Sequence, residues 1–148
     1  MAKVKIKYVT PLRTERIDSN HKRLLEDFIV SEIRDGIPCT WTVPAGTISD
    51  GKSVPEFLEI IMGDPFEGVT EPAAWVHDYY CVTKERSQKD THRVFRDMVY
   101  HAMKRNNEYG WIRYPWNLHN SKVWQYQRAK LMWVGVRGYN KVNNPDWK

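Results

Sequence analysis

The sequence predicts an α+β fold in which N-terminal antiparallel strands, or a hairpin, lead into a mainly helical half. Three observations carry this expectation. Val4, Ile6 and Tyr8 alternate with lysines, and Ile37, Cys39, Trp41 and Val43 alternate in the same way, the period of a half-buried strand. Asp35-Gly36 lies just before the second of these runs and is a turn dipeptide that allows a hairpin. Further on, Val94, Phe95, Met98, Val99 and Ala102 follow helical spacing. At 148 residues, with no internal repeat or low-complexity tract, the chain fits one domain with a real core. The expected layout is a single domain, 1–148: residues 1–47 mainly β, 48–138 a helical region carrying the candidate site, and 139–148 a tail.

The first strand ends at Pro11. Leu24 to Ile33 reads equally as helix or strand. Pro44-Ala45-Gly46 stops the strand that holds Trp41. Ser53-Val54-Pro55 suits a helix start, with Ser as N-cap and Pro in the first turn, ahead of Phe57, Leu58, Ile60 and Ile61. Gly63-Asp64-Pro65 breaks that helix, and Thr70-Glu71-Pro72 opens the next. Ser87-x-x-Asp90 resembles a capping box with a shorter acid. Asn106 to Pro115 reads as a loop, and a last helix is expected from about Asn120 to Arg137, ended by Gly138.

A hydrophobic content of 41% and a charged content of 28% place the chain among globular domains, and no apolar run is long enough for a membrane span. The N-terminus lacks the continuous apolar stretch of a signal peptide. Cys39 and Cys81 are too few for a disulfide framework and lack zinc-type spacing, so they read as reduced thiols of an intracellular product. The net charge of +5 is concentrated late: residues 104–148 hold nine Lys and Arg against Glu108 and Asp146, together with five of the seven Trp. Basic residues among aromatics suit an anionic partner. They equally suit a Trp-packed core kept soluble by Lys and Arg. No nucleic-acid motif accompanies the charge, so no specific nucleic-acid partner is expected.

His77-Asp78 lies in the helix opened by Thr70. Adjacent helical side chains project about 100° apart, so one can face a neighbouring helix while the other faces a loop. His92 sits on the apolar stripe of the following helix, and the two histidines can approach if the helices pack antiparallel across the Thr83–Arg86 link. Asp50 would arrive from the loop beyond the strand. The predicted cluster is therefore Asp50, His77, Asp78 and His92. His77 reads equally as a core histidine bonded within the fold, and Asp50-Gly51-Lys52-Ser53 equally as an Asx-type turn.

The run from Val43 to Pro55, followed by Ala73-Ala74-Trp75-Val76-His77-Asp78-Tyr79-Tyr80, resembles the domain-of-unknown-function family numbered 1353, common in phages and prophages. The resemblance covers roughly residues 37–137. This pattern is in turn similar to the microbial secreted phospholipase A2 fold, through Asp50, His77-Asp78, the run His92 to Met98 and the run Ala129 to Val136. The resemblance implies a phospholipase A2-like helical half. It also implies that His77 acts as general base, with His92 at the orienting position, and that Asp50 and Asp78 hold a metal, calcium or alternatively zinc. A neutral imidazole can take a proton from water, and hard calcium prefers carboxylate oxygens. Three departures stand out: His92 replaces the orienting acid, Lys52 and Ala74 stand where the secreted enzymes pair cysteines, and Cys81 stands where a Tyr is expected four residues after the His, with Tyr80 adjacent.

Two functions follow as expectations. The first is a phage-encoded small protein with a hydrolase-like His-Asp site, hydrolysing an ester or envelope component with metal assistance. The alternative is a non-enzymatic virion component of tail, neck or baseplate that keeps the fold. The expected partners are other virion proteins or an anionic envelope or membrane surface. The expected location is the host cytoplasm during synthesis, and the virion in the second case.

Overall fold

The structure is a computed structural model that describes residues 3–50, 68, 70–108 and 134. Six strands and two helices follow in order: β1 (Val4–Tyr8), β2 (Thr14–Arg16), β3 (Lys22–Leu24), β4 (Phe28–Arg34), β5 (Ile37–Val43), β6 (Ile48–Ser49), α1 (Glu71–Thr83) and α2 (Gln88–Glu108). The strands make two antiparallel three-stranded sheets, ordered β1-β4-β5 and β2-β3-β6.

The β4–β5 hairpin is set by its turn. Asp35 and Gly36 have φ of +51° and +85°, the two positive values that a type I′ turn needs and that match the twist of the flanking strands. Register follows, with Arg34 opposite Ile37 and Val30 opposite Trp41. Phe28, Val30 and Glu32 then face inward on β4, as do Trp41 and Val43 on β5. Pro38, which lacks an N–H, is tolerated because β5 lies at the edge of its sheet.

Both helices pack on this sheet, α1 against β5 and α2 against β1. The core joins Phe28, Val30 and Trp41 of the sheet to Trp75 and Val76 of α1 and to Val94, Phe95, Met98 and Val99 of α2. Each large apolar side chain sealed there contributes about 1.5–3 kcal/mol. A carboxylate is buried at this core as well. Glu32, 1% exposed, accepts hydrogen bonds from Trp41 Nε1 at 3.0 Å and from Arg34 at 2.9 and 3.1 Å. Arg34 also pairs with Asp97 of α2, so a salt-bridged chain ties sheet to helix.

The edge of β5 is closed. Its outward backbone groups belong to Pro38, Thr40 and Thr42. The Tyr80 hydroxyl accepts from Thr42 N and donates to Thr42 O, both at 3.1 Å, and Arg86 Nη2 donates to Thr40 O at 3.1 Å.

The expected fold class needs correction. The described residues form two three-stranded sheets and two helices, a strand-rich arrangement rather than a hairpin followed by a mainly helical, phospholipase A2-like half. The ambiguous Leu24–Ile33 segment splits into the end of β3 and most of β4. Its period was obscured because the inward position between Val30 and Arg34 is a carboxylate, Glu32. Strands β2, β3 and β6 span only three, three and two residues, too short for alternation to register. The helix expected after Ser53 lies outside the described residues, as do the helix expected over about 120–137 and the basic, Trp-rich stretch after residue 108, except for Val134, which is helical and exposed. No helix among the described residues is long and apolar enough to cross a membrane.

Candidate functional site

Two loops and two helices bring the candidate residues into place. Pro44 to Thr47 closes a four-residue turn through Thr47 N to Pro44 O at 3.2 Å. Gly46 occupies its third position at φ +82°, which a side chain disfavours there. Gly46 N and Leu24 N bond across it to Leu24 O and Thr47 O, and the chain enters β6 with Ser49 opposite Lys22. Lys22 Nζ in turn pairs with Glu71 Oε1 at 3.0 Å, holding the first turn of α1 beside this sheet.

Helix α1 opens where Pro72 fits its first turn. It ends at Lys84, whose left-handed backbone (φ +56°, ψ +24°) lets its N–H reach Tyr80 O. Helix α2 starts at Ser87, whose hydroxyl accepts from Asp90 N at 3.1 Å and donates to Asp90 Oδ2 at 2.8 Å. The short link between them sets His77 and His92 face to face.

His77 Nε2 lies 3.1 Å from His92 Nδ1. Both residues are buried, His77 at 0% and His92 at 1% exposure. The Phe95 ring stands 4.8 Å from the His77 ring, centroid to centroid. Cys81 Sγ lies 3.4 Å from Nε2 and 3.6 Å from Nδ1 of His77. Near-equal distances to both nitrogens put the sulfur over the ring edge instead of in line with either N–H, a packing contact more than a directed bond. Burial, reinforced by the neighbouring His92, holds the His77 imidazole far below its ordinary value of 6.5, at about 3. It is neutral at neutral pH, and one of the two rings donates to the other.

The next residue along the helix points elsewhere. Asp78 is 6% exposed and its Oδ2 accepts from Ser49 Oγ at 2.5 Å. Asp78 and Asp50 both line a cleft of about 450 Å³ whose walls include Ser49, Trp75, Tyr79 and Thr83. His77 and His92 are not on its walls. The four residues expected to converge therefore form two groups on either side of α1: a sealed histidine pair against α2, and two carboxylates in a cleft against β6.

Asp50 and Asp78 are the described donors for the calcium or zinc that the resemblance implies. Among the described residues no three of His, Cys, Asp and Glu gather into a set that could hold a metal. Two carboxylates fall short of the six to eight oxygens calcium takes, or the four ligands of zinc. No metal step follows from these residues alone.

Sequence reasoning did not single out Ser49, which anchors Asp78, or Glu32 and Arg34. A carboxylate at an inward strand position, with Arg two residues on, is the signal that marks the second pair.

The sequence matches the family described as "Protein of unknown function (DUF1353)" over residues 22–115. It is 35% identical over 131 residues to an uncharacterized protein of Sinorhizobium fredii, y4jT, an alignment covering 88% of this chain and 32% of that one. Over 82 residues it is 39% identical to a second uncharacterized protein of the same organism, y4iH, covering 55% of this chain and 33% of the relative. The chain spans about a third of the length of the curated relatives it matches. No solved structure matches it. With 94 of its residues inside the matched region, the chain belongs to the DUF1353 family.

Proposed function

We propose that this domain is a non-enzymatic assembly module of a phage-type particle, in which His77 and His92 clamp two helices together and do no chemistry. The observation that carries this reading is the sealed, neutral His77. A general base works best with a pKa near the operating pH and must reach the proton it removes. His77 titrates at about 3 and is fully buried against a second histidine. His92 also stands where an acid would stabilise the imidazolium, and two histidines disfavour joint protonation. The phage setting comes from the family resemblance. The basic, Trp-rich composition of residues 104–148 is of the kind that suits assembly with other particle proteins.

The test is to purify particles from cells that express the protein in its genetic context and count copies by quantitative mass spectrometry. Several copies per particle are expected. Absence from the particle, together with ester or phospholipid hydrolysis that His77→Ala abolishes, would overturn the reading.

A second reading, metal-assisted hydrolysis of an ester or envelope component, is favoured by one observation: Asp50 and Asp78 line the same cleft. It expects millimolar calcium or zinc to raise the melting temperature of the wild type but not of Asp78→Asn, because a ligand that binds only the folded state stabilises it. A flat wild-type response to both metals removes it.

A further inference from the structure

The two edges of the β1-β4-β5 sheet are treated in opposite ways. The β5 edge is stoppered by Tyr80 and Arg86. On β1, Lys3 O accepts from Asp35 N, and Val9 N donates to Ile29 O. These bonds assign the odd-numbered residues to the ladder with β4, because hydrogen-bonded pairs alternate along an antiparallel pair. The backbone groups of Val4, Ile6 and Tyr8 therefore point away from the sheet, and among the described residues none of them has a hydrogen-bond partner. Such an edge is a template for another strand.

The side chains indicate what kind of strand. Lys3, Lys5 and Lys7 are all exposed and alternate along one face, and among the described residues none forms an ion pair. On the other face Val4, Ile6 and Tyr8 join the rim of the core. A second copy of this chain added through β1 would set one lysine row against another on the same face, and like charges across strands repel. A strand carrying acids on that face and apolar residues on the other meets both rows.

We infer that the open β1 edge binds an extended segment of a partner protein in which acidic and apolar residues alternate, extending the sheet to four strands. This deepens the assembly reading and rests on it by naming the surface through which a partner docks. The test uses purified protein, so its failure is separable from the question of particle inclusion.

The experiment follows the full 148-residue chain with a fluorescein-labelled peptide of alternating Glu and Val, about eight residues long to match a typical strand. Saturable binding by fluorescence anisotropy is expected, with slowed hydrogen exchange at the amides of Val4, Ile6 and Tyr8. Val4→Pro removes an outward N–H that the ladder does not use, and should weaken binding by about tenfold while costing stability only the packing of the Val4 side chain at the rim of the core. The pair Lys5→Glu and Lys7→Glu should abolish binding, and a peptide with Lys in place of Glu should not bind. Three results would each overturn the inference: no binding of the Glu-Val peptide, binding indifferent to Val4→Pro, or a dimer of the free chain that Val4→Pro dissociates.

Discussion

His77 and His92 share a single hydrogen bond, Nε2 to Nδ1 at 3.1 Å, inside the contact between α1 and α2. The bond has room for one proton between the two nitrogens. A second proton between those two nitrogens would set two donors nose to nose in a dry site, and burial beside His92 holds the His77 ring neutral.

The first prediction is an acid sensitivity. The folded-state pKa of His77 is depressed, from 6.5 to about 3, so between those values the unfolded chain binds more protons than the folded one. Stability is then full above pH 6.5 and falls as pH drops toward 3. At pH 5 this group alone should cost about 2 kcal/mol relative to pH 7. Urea unfolding at the two pH values measures it, and His77→Gln should flatten the difference.

Much of this arrangement was legible before the structure. The adjacency of His77 and Asp78 on one helix, with His92 on the apolar stripe of the next, was enough to place the histidines together and turn the aspartate toward the loop. The two-cluster outcome was not legible, because residue spacing gives direction around a helix but not what fills the space in that direction. Phe95 and Cys81 close over His77, whereas Ser49 reaches Asp78 from a two-residue strand. The second sheet was missed for a different reason. Strands as short as Thr14–Arg16 span too few residues to leave a period in the sequence.

The buried carboxylate makes the second prediction. Arg34 neutralises Glu32, whose side chain is 2% exposed, while its own is 21% exposed. Arg34→Met should destabilise by about 2–4 kcal/mol, discounted for the partial exposure of the arginine, because it strands a buried charge. Glu32→Gln, which keeps an acceptor for Trp41 Nε1, should cost less. Denaturant midpoints of the two variants rank the effects, and equal costs would contradict the account.

A third prediction concerns the closed edge. Tyr80→Phe removes the hydroxyl that meets both Thr42 N and Thr42 O. It should lower stability by about 1–2 kcal/mol and raise concentration-dependent association seen by light scattering, since an unplugged strand edge invites pairing. Unchanged scattering would show that Tyr80 only packs.

The hairpin turn supplies a fourth. A Cβ added at Gly36 meets nothing within 4 Å, so Gly36→Ala tests backbone strain alone at φ +85°. The expected cost is about 1 kcal/mol. A larger loss in the denaturant midpoint would mean that the turn nucleates more of the sheet than its own two residues.

The most direct test of the central claim is the titration of the His77 ring followed by nitrogen-15 NMR of the imidazoles in the intact chain. The account predicts that His77 stays neutral and locked in one tautomer through the neutral and mildly acid range, with its midpoint at about 3. A midpoint near the ordinary 6.5, with exchange between tautomers at neutral pH, would contradict it and return His77 to the role of a working base.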